Sequence, residues 1–427
     1  MAFNRTSLYE VVLLAIVVTA LTFAAARIYP TWDDGRLMLA IQESGSQAIW
    51  VNFGNRPLAA LFYVFLWNHH AFLPVGILLH WITWLGMGLV TMRFWRIMFP
   101  AYAGYALLPA LLSIAPILCK VQFVILTIPS IDLLGPLLTF LAIFMLLSEQ
   151  PTRLRKIIGS ATALALIALS ILLSEYAVVT AAVGFIIISA KAIRNGSGPG
   201  RERLVMPALV ALCSLISYSI FLWLTRSAGH DAFRPGYILE LSGWRLRGIP
   251  FRLLSGIWRG AIGGLLESLG SVTLNSKAAL LSFVCGAVLA SLVVLAIYKR
   301  AAVEFKWSGF SFITLLTSLA VALVPVVLMD RTLDSKWDSR FWLPVLPVLT
   351  SLTVYILFSL LRPRLYLLVP ILCGFLAGYW TTQEIANAFR NPEPIVMLPH
   401  RLPSHSPDFI RVDVDNKPQT GRFRETV

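Results

Sequence analysis

Residues 8–26 read LYEVVLLAIVVTALTFAAA, and that run decides the class of fold. As an α-helix, nineteen residues at 1.5 Å each reach about 28 Å. The hydrocarbon core of a bilayer is about 30 Å thick. The run follows a short basic start and closes on Ala24-Ala25-Ala26, as a secretory signal with a small-residue cleavage site would. It is long for such a signal, and many runs of its kind follow. It is therefore predicted to stay as the first membrane helix. In either case the residues just after it emerge on the outer side.

Similar runs recur at roughly 71–92, 104–119, 131–148, 157–173, 176–191, 204–224, 278–298, 309–329, 341–360 and 365–383. With the first, they predict an all-α polytopic membrane protein of about 11 transmembrane helices. A membrane barrel would instead show short alternating segments. The composition agrees: of 427 residues, 58% are apolar and 13% charged, where soluble domains carry roughly twice that charge. Residues 1–383 form the predicted transmembrane domain. Residues 384–427 form a tail with five prolines between Pro392 and Pro407, predicted to be extended or weakly ordered.

The formal net charge is +14, but nucleic acid is not the expected partner. The basic residues sit in loops between apolar runs and in one long loop, which suits anionic head groups or a lipid-linked phosphate. Cys119, Cys213, Cys285 and Cys373 lie singly in or near apolar runs and predict neither a disulfide framework nor a metal site. One alternating set of short loops holds fifteen basic residues, among them Arg93, Arg96, Arg153, Lys191, Lys299 and Arg362. Their excess places this set, and the N-terminus, in the cytoplasm. The loops at 28–70, 120–130, 174–175, 225–277 and 330–340, with the tail, then face outward. Segments Asp34–Glu43 and Leu58–Trp67 are predicted to lie as helices at the outer surface. Segment 225–277 alternates aromatic and basic residues (Trp244-Arg245, Phe251-Arg252, Trp258-Arg259) and reads as interfacial.

Candidate chemistry gathers on that face. Trp32-Asp33-Asp34-Gly35-Arg36 and Asn52-Phe53-Gly54-Asn55-Arg56-Pro57 follow the first run. A carboxylate at the membrane surface can take a proton from a hydroxyl, and an arginine fork can hold a phosphate. The same acidic pair before glycine is also a common turn. Glu175 and Tyr176 occupy a turn of almost no length between two apolar runs, where an ionisable group is costly and so tends to be paired or functional. Arg340 precedes Phe341-Trp342-Leu343-Pro344; its plain alternative is an interfacial anchor. Ser130 and Asp132 open another outer-side helix, where Asp can serve as a cap. Lys120 and Gln122 are weaker candidates for an anionic ligand. His69, His70 and His80 lack a third ligand at metal spacing and read as interfacial side chains.

Taken together, these residues resemble the GT-C superfamily of membrane glycosyltransferases. Asp33-Asp34 matches the acidic pair in the first outer loop of that family. Gly35-Arg36 and Asn55-Arg56-Pro57 resemble the rest of that loop, Glu175-Tyr176 a later acidic motif, and Arg340-Phe341-Trp342-Leu343-Pro344 an Arg-aromatic stretch near a late span. The likeness covers most of the chain in topology and about 25 residues in motif. It implies an enzyme of the cell envelope, in a bacterial inner membrane, with its C-terminus outside the cytoplasm. The implied reaction moves a sugar from a polyprenyl-phosphate donor to a glycan or lipid acceptor, with inversion. Asp33 or Asp34 would be the general base, Asp33 being favoured. Arg340 and Arg56 would neutralise the leaving phosphate. Arg36, Asp132, Glu175 and Tyr176 would complete the substrate site, with Glu175 orienting sugar hydroxyls or an arginine, and segment 225–277 would line the donor entry, making 28–70, 225–277 and 330–340 the catalytic outer loops. Metal use varies in the family, so a divalent cation stays a candidate cofactor. The tail of about 44 residues predicts no large outer domain like that of the bigger members, which speaks against an oligosaccharide transferase acting on protein. Two other readings fit the span count: a transporter or flippase without catalysis, and a polymerase or ligase of lipid-linked glycans.

Overall fold

The computed structural model describes residues 5–29, 37–38, 41, 44–53, 56–117, 128–148, 152–195, 200–227, 243–298, 308–328, 338–390, 395–397 and 409–411. Eight of the described helices are long and apolar enough to cross a membrane. The protein is thus a helical, multi-pass membrane protein, a fold in which most backbone polar groups find partners within the helices.

Helix α1 (Arg5–Arg27) lies antiparallel to α4 (Phe72–Met98). Near the start of α1, Arg96 donates to the carboxylate of Glu10 at 2.7 Å. Near its end, Thr22 Oγ1 and His80 Nδ1 are 2.8 Å apart. The end of the bundle where α1 begins is called proximal below, and the end where it finishes distal. His80 is fully buried, inside the bundle and not at its interface as the sequence suggested. His69 and His70 instead make the turn before α4, with His70 in the left-handed region at φ 52°.

Between α4 and α6 (Ile128–Leu147) the expected span at 104–119 does not form as one helix. A 3-10 turn (Pro100–Tyr105) leads into α5 (Leu107–Ile114), whose eight residues are all buried. Eight residues rise only about 12 Å. The cause is Pro116: a residue before proline is driven out of the helical region, and Ala115 is extended at φ −90°, ψ 149°. Residues 118–119 of that expected span lie outside the described residues.

The remaining elements alternate in direction. Helix α7 (Arg153–Leu173), capped by the Thr152 side chain, returns along α6, and α8 (Tyr176–Asn195) runs back after a two-residue turn. Lys191 of α8 donates to the Leu147 carbonyl that ends α6, at 2.7 Å. Helix α9 (Gly200–Ser227) follows. Then come α10 (Gly243–Trp258), a π turn (Arg259–Gly263), and the short α11 (Gly264–Gly270). Helices α12 (Lys277–Tyr298) and α13 (Gly309–Leu328) precede a second 3-10 turn (Asp338–Val345) that runs into α14 (Leu346–Leu360).

The last helix, α15 (Leu368–Arg390), continues seven residues past the expected boundary at 383. It runs parallel to α1, with the Arg27 guanidinium 5.6 Å over the Phe389 ring. It also packs very closely on α12. A Cβ at Gly378 would lie 2.9 Å from the Cys285 carbonyl, and one at Gly374 2.7 Å from Ala290 Cα. Small residues let membrane helices approach in this way. Beyond α15, the described part of the tail is a pair of three-residue antiparallel strands, Ile395–Met397 with Phe409–Arg411.

Two cores result. The larger fills the bundle. The smaller sits at the distal end, where Ala25, Tyr29, Leu37, Ile41, Tyr63 and Phe72 meet Ile131 of α6, with Leu173 packed beside them. Helices α2 (Gln47–Phe53) and α3 (Pro57–Asn68) roof this end. Helix α3 buries Ala59, Ala60, Tyr63 and Leu66 and exposes Leu61 and Phe65. It is too short to span and has the one-sided burial of a surface helix.

Candidate functional site

Three parts of the chain, far apart in sequence, meet beneath that roof. Arg56 stands just before Pro57, the first residue of α3, a position that suits proline because no helical N–H is lost there. Asp132 lies five residues into α6, and Glu175 sits in the turn Ser174-Glu175 between α7 and α8. The turn rests on α6 because Gly135 has no side chain: a Cβ there would come within 3.0 Å of Ser174 Cβ and 3.1 Å of the Ser170 carbonyl. Ser174 Oγ donates to the Asp132 carbonyl at 3.3 Å.

Arg56 ties these elements together. Its Nη1 donates to Asp132 Oδ1 at 2.5 Å. Its Nε donates to Glu175 Oε2 at 2.5 Å, and Nη2 to Glu175 Oε1. The Glu175 pairing is the side-on fork that binds carboxylate most firmly. The guanidinium also lies 5.7 Å over the ring of Tyr176, within cation–π range. Burial disfavours the Arg56 charge, but the carboxylates of Asp132 and then Glu175 outweigh it, so its pKa stands well above the ordinary arginine value. Side-chain exposure is 13% for Arg56, 12% for Asp132 and 35% for Glu175. One carboxylate is thus sealed in and the other reaches toward the distal surface.

The structure brings Arg56, Asp132, Glu175 and Tyr176 into one cluster. The segment bearing Arg340 is anchored nearby: Thr180 of α8 donates to the Pro344 carbonyl at 2.9 Å, four residues after Arg340 and five after Glu175 in their respective segments. Trp342, beside it, is buried against Gly260, where a Cβ would lie 2.4 Å from its ring. The backbone of Arg340 is in the second 3-10 turn, and its side chain lies outside the described residues, as do Asp33, Asp34, Arg36, Lys120 and Gln122. Tyr29 and Leu37, which flank the acidic pair in sequence, both pack in the small distal core with Ile131.

Sequence reasoning missed two residues of this site and one ion pair elsewhere in the bundle. Gly135 has no signal beyond being a glycine in an apolar run. Tyr218 of α9, in electrostatic reach of Glu175, looks like any interfacial tyrosine. Glu10 was readable: it is an acid inside an apolar run, 1% exposed and paired with Arg96 at the proximal end. Among the described residues no group of three or more His, Cys, Asp or Glu side chains is gathered.

Chemically, the cluster holds two carboxylates on one guanidinium. Three Arg56 nitrogens are committed to those carboxylates, so the group suits positioning better than capture of a phosphate. Glu175, partly exposed, can accept hydrogen bonds from hydroxyls as well as hold Arg56. Comparison with protein-family models, with characterised proteins and with solved structures finds no match to this chain.

Proposed function

We propose that the protein is a membrane glycosyltransferase working at the distal end of the bundle, with eleven crossings, one of them through the broken segment that holds α5, and with that end outside the cytoplasm. The observation that carries the reading is the buried Arg56–Asp132–Glu175 cluster. It gathers charge at one end of an apolar bundle, the end where Tyr29 and Leu37 pack against Ile131. A transporter would place its ionisable groups around the middle of its spans. The three ion pairs found among the described residues lie toward the bundle ends instead.

In the proposed reaction a carboxylate of the Asp33-Asp34 pair, with Asp33 favoured, takes the proton of an acceptor hydroxyl. That oxygen attacks the anomeric carbon of a polyprenyl-phosphate sugar from the face opposite the leaving group. The anomeric carbon–oxygen bond breaks, and polyprenyl phosphate leaves with the electron pair. Arg340 stabilises the charge that develops on it. Arg56 is assigned a positioning role: with Asp132 and Glu175 it fixes the end of the first loop against α6 and the α7–α8 turn. The resemblance to GT-C enzymes supports this assignment of parts.

The test uses full-length protein in proteoliposomes with polyprenyl-phosphate sugars radiolabelled in the sugar. Transfer of label to an acceptor, with release of polyprenyl phosphate, supports the reading. Movement of the intact labelled lipid across the bilayer without cleavage replaces it with transport.

A further inference from the structure

Residues 244–259 hold a repeat that the site above does not use. Trp244-Arg245, Phe251-Arg252 and Trp258-Arg259 are aromatic–arginine pairs seven residues apart. Seven residues are close to two helical turns, and the chain is helical from Gly243 through the π turn. The three aromatic positions therefore form one row along the helix, and the three arginine positions a second row about 100° round it.

The two broad faces of this helix differ. One is docked on the protein: Ile257 is buried, and Gly260 meets the Trp342 ring so closely that a Cβ would lie 2.4 Å from it. The other exposes Phe251 by 76%, Leu254 by 63% and Trp258 by 61%. The arginine row runs along the flank between them. No Asp or Glu occurs from Gly243 to Gly263, where Arg245, Arg247, Arg252 and Arg259 are the charged residues. A held helix with large exposed apolar side chains and a cationic flank fits the boundary between acyl chains and head groups. The charge selects an anionic surface.

We propose that α10 is a docking helix for an anionic phospholipid leaflet, its aromatic row set among the acyl chains and its arginine row on head-group phosphates. The surface it recognises is a bilayer rich in a lipid such as phosphatidylglycerol. This holds whether or not the protein transfers sugars.

The test places the full-length protein in nanodiscs of mixed phosphatidylcholine and phosphatidylglycerol. Either lipid is brominated in turn, at equal mole fraction. The fluorescence of Trp258 is read as the difference between wild type and Trp258→Phe. Brominated phosphatidylglycerol should quench it more than brominated phosphatidylcholine. Arg245→Gln/Arg252→Gln/Arg259→Gln should cut that excess by about fivefold per arginine while leaving quenching by phosphatidylcholine. The triple lysine variant should keep the excess. Should the glutamine variant not fold, 1 M salt on wild type should lower the excess by screening. Equal quenching by both lipids, or none by either, would overturn the proposal. So would loss of the excess on adding inorganic phosphate at constant ionic strength, since the site would then be one for soluble phosphate.

Discussion

Replacing Arg56 by methionine removes the cation that two carboxylates share while keeping most of the side-chain volume. Asp132, with 12% of its side chain exposed, would be left as a sealed carboxylate without its cation. Removing one partner of a buried pair costs about 3–5 kcal/mol. Glu175, at 35% exposure, can turn to water, so its share is much smaller. For a chain of 427 residues the entropy of unfolding scales to about 0.9 kcal/mol per kelvin. Arg56→Met should therefore lower Tm by about 3–6 °C. Asp132→Asn should cost less, because Arg56 keeps its fork on Glu175, and Glu175→Gln least of all. The triple variant Arg56→Met/Asp132→Asn/Glu175→Gln should recover much of the loss, because no buried charge is left unpaired. The assay is thermal unfolding of each detergent-purified variant, followed by size-exclusion fluorescence. If Arg56→Met melts within 1 °C of wild type, or the triple variant melts below Arg56→Met, the cluster is not the electrostatic tie described.

Other substitutions probe the packing. Gly378→Ala pushes a methyl against the backbone of α12 and should cost about 1–3 kcal/mol, seen as a lower Tm. At Gly184 a Cβ would lie 2.3 Å from Ile143 Cδ1 and 2.6 Å from its Cγ1, side-chain atoms rather than backbone, so Gly184→Ala should cost less, and Gly184→Ala/Ile143→Ala, which removes both atoms, should melt above the sum of the two single losses. Glu10→Leu should be tolerated only together with Arg96→Met: alone it leaves Arg96 without its partner between α1 and α4, a coupling that a double-mutant cycle in Tm would read. Gly260→Ala should release Trp342, visible as a shift in tryptophan emission.

Much of the fold was legible because a membrane helix is announced by length and apolarity alone. Runs such as 8–27 and 71–92 became helices close to where they were read. The segment at 104–119 shows the limit of that signal. A buried broken segment and a spanning helix have the same composition, and only Pro116 told them apart. His80 was misplaced for a related reason: hydropathy does not say which side of a helix a residue faces, and Thr22 gave it a buried partner. In the site, Arg56, Asp132, Glu175 and Tyr176 could be nominated because charge at the edge of an apolar run is costly. Their pairing could not, since it depends on how α3, α6 and the α7–α8 turn are stacked. Gly135 had no chance of being named, because its role is a missing side chain at a contact 39 residues away.

The central proposal is that an acid of the first loop, Asp33 or Asp34, acts as the general base. Its most direct test is a single-turnover assay with a radiolabelled polyprenyl-phosphate sugar, run on wild type, Asp33→Asn and Asp34→Asn at matched protein yield. Wild type should release polyprenyl phosphate, and Asp33→Asn should be slower by about 10²–10⁴-fold. Release at the wild-type rate by both asparagine variants would contradict the account.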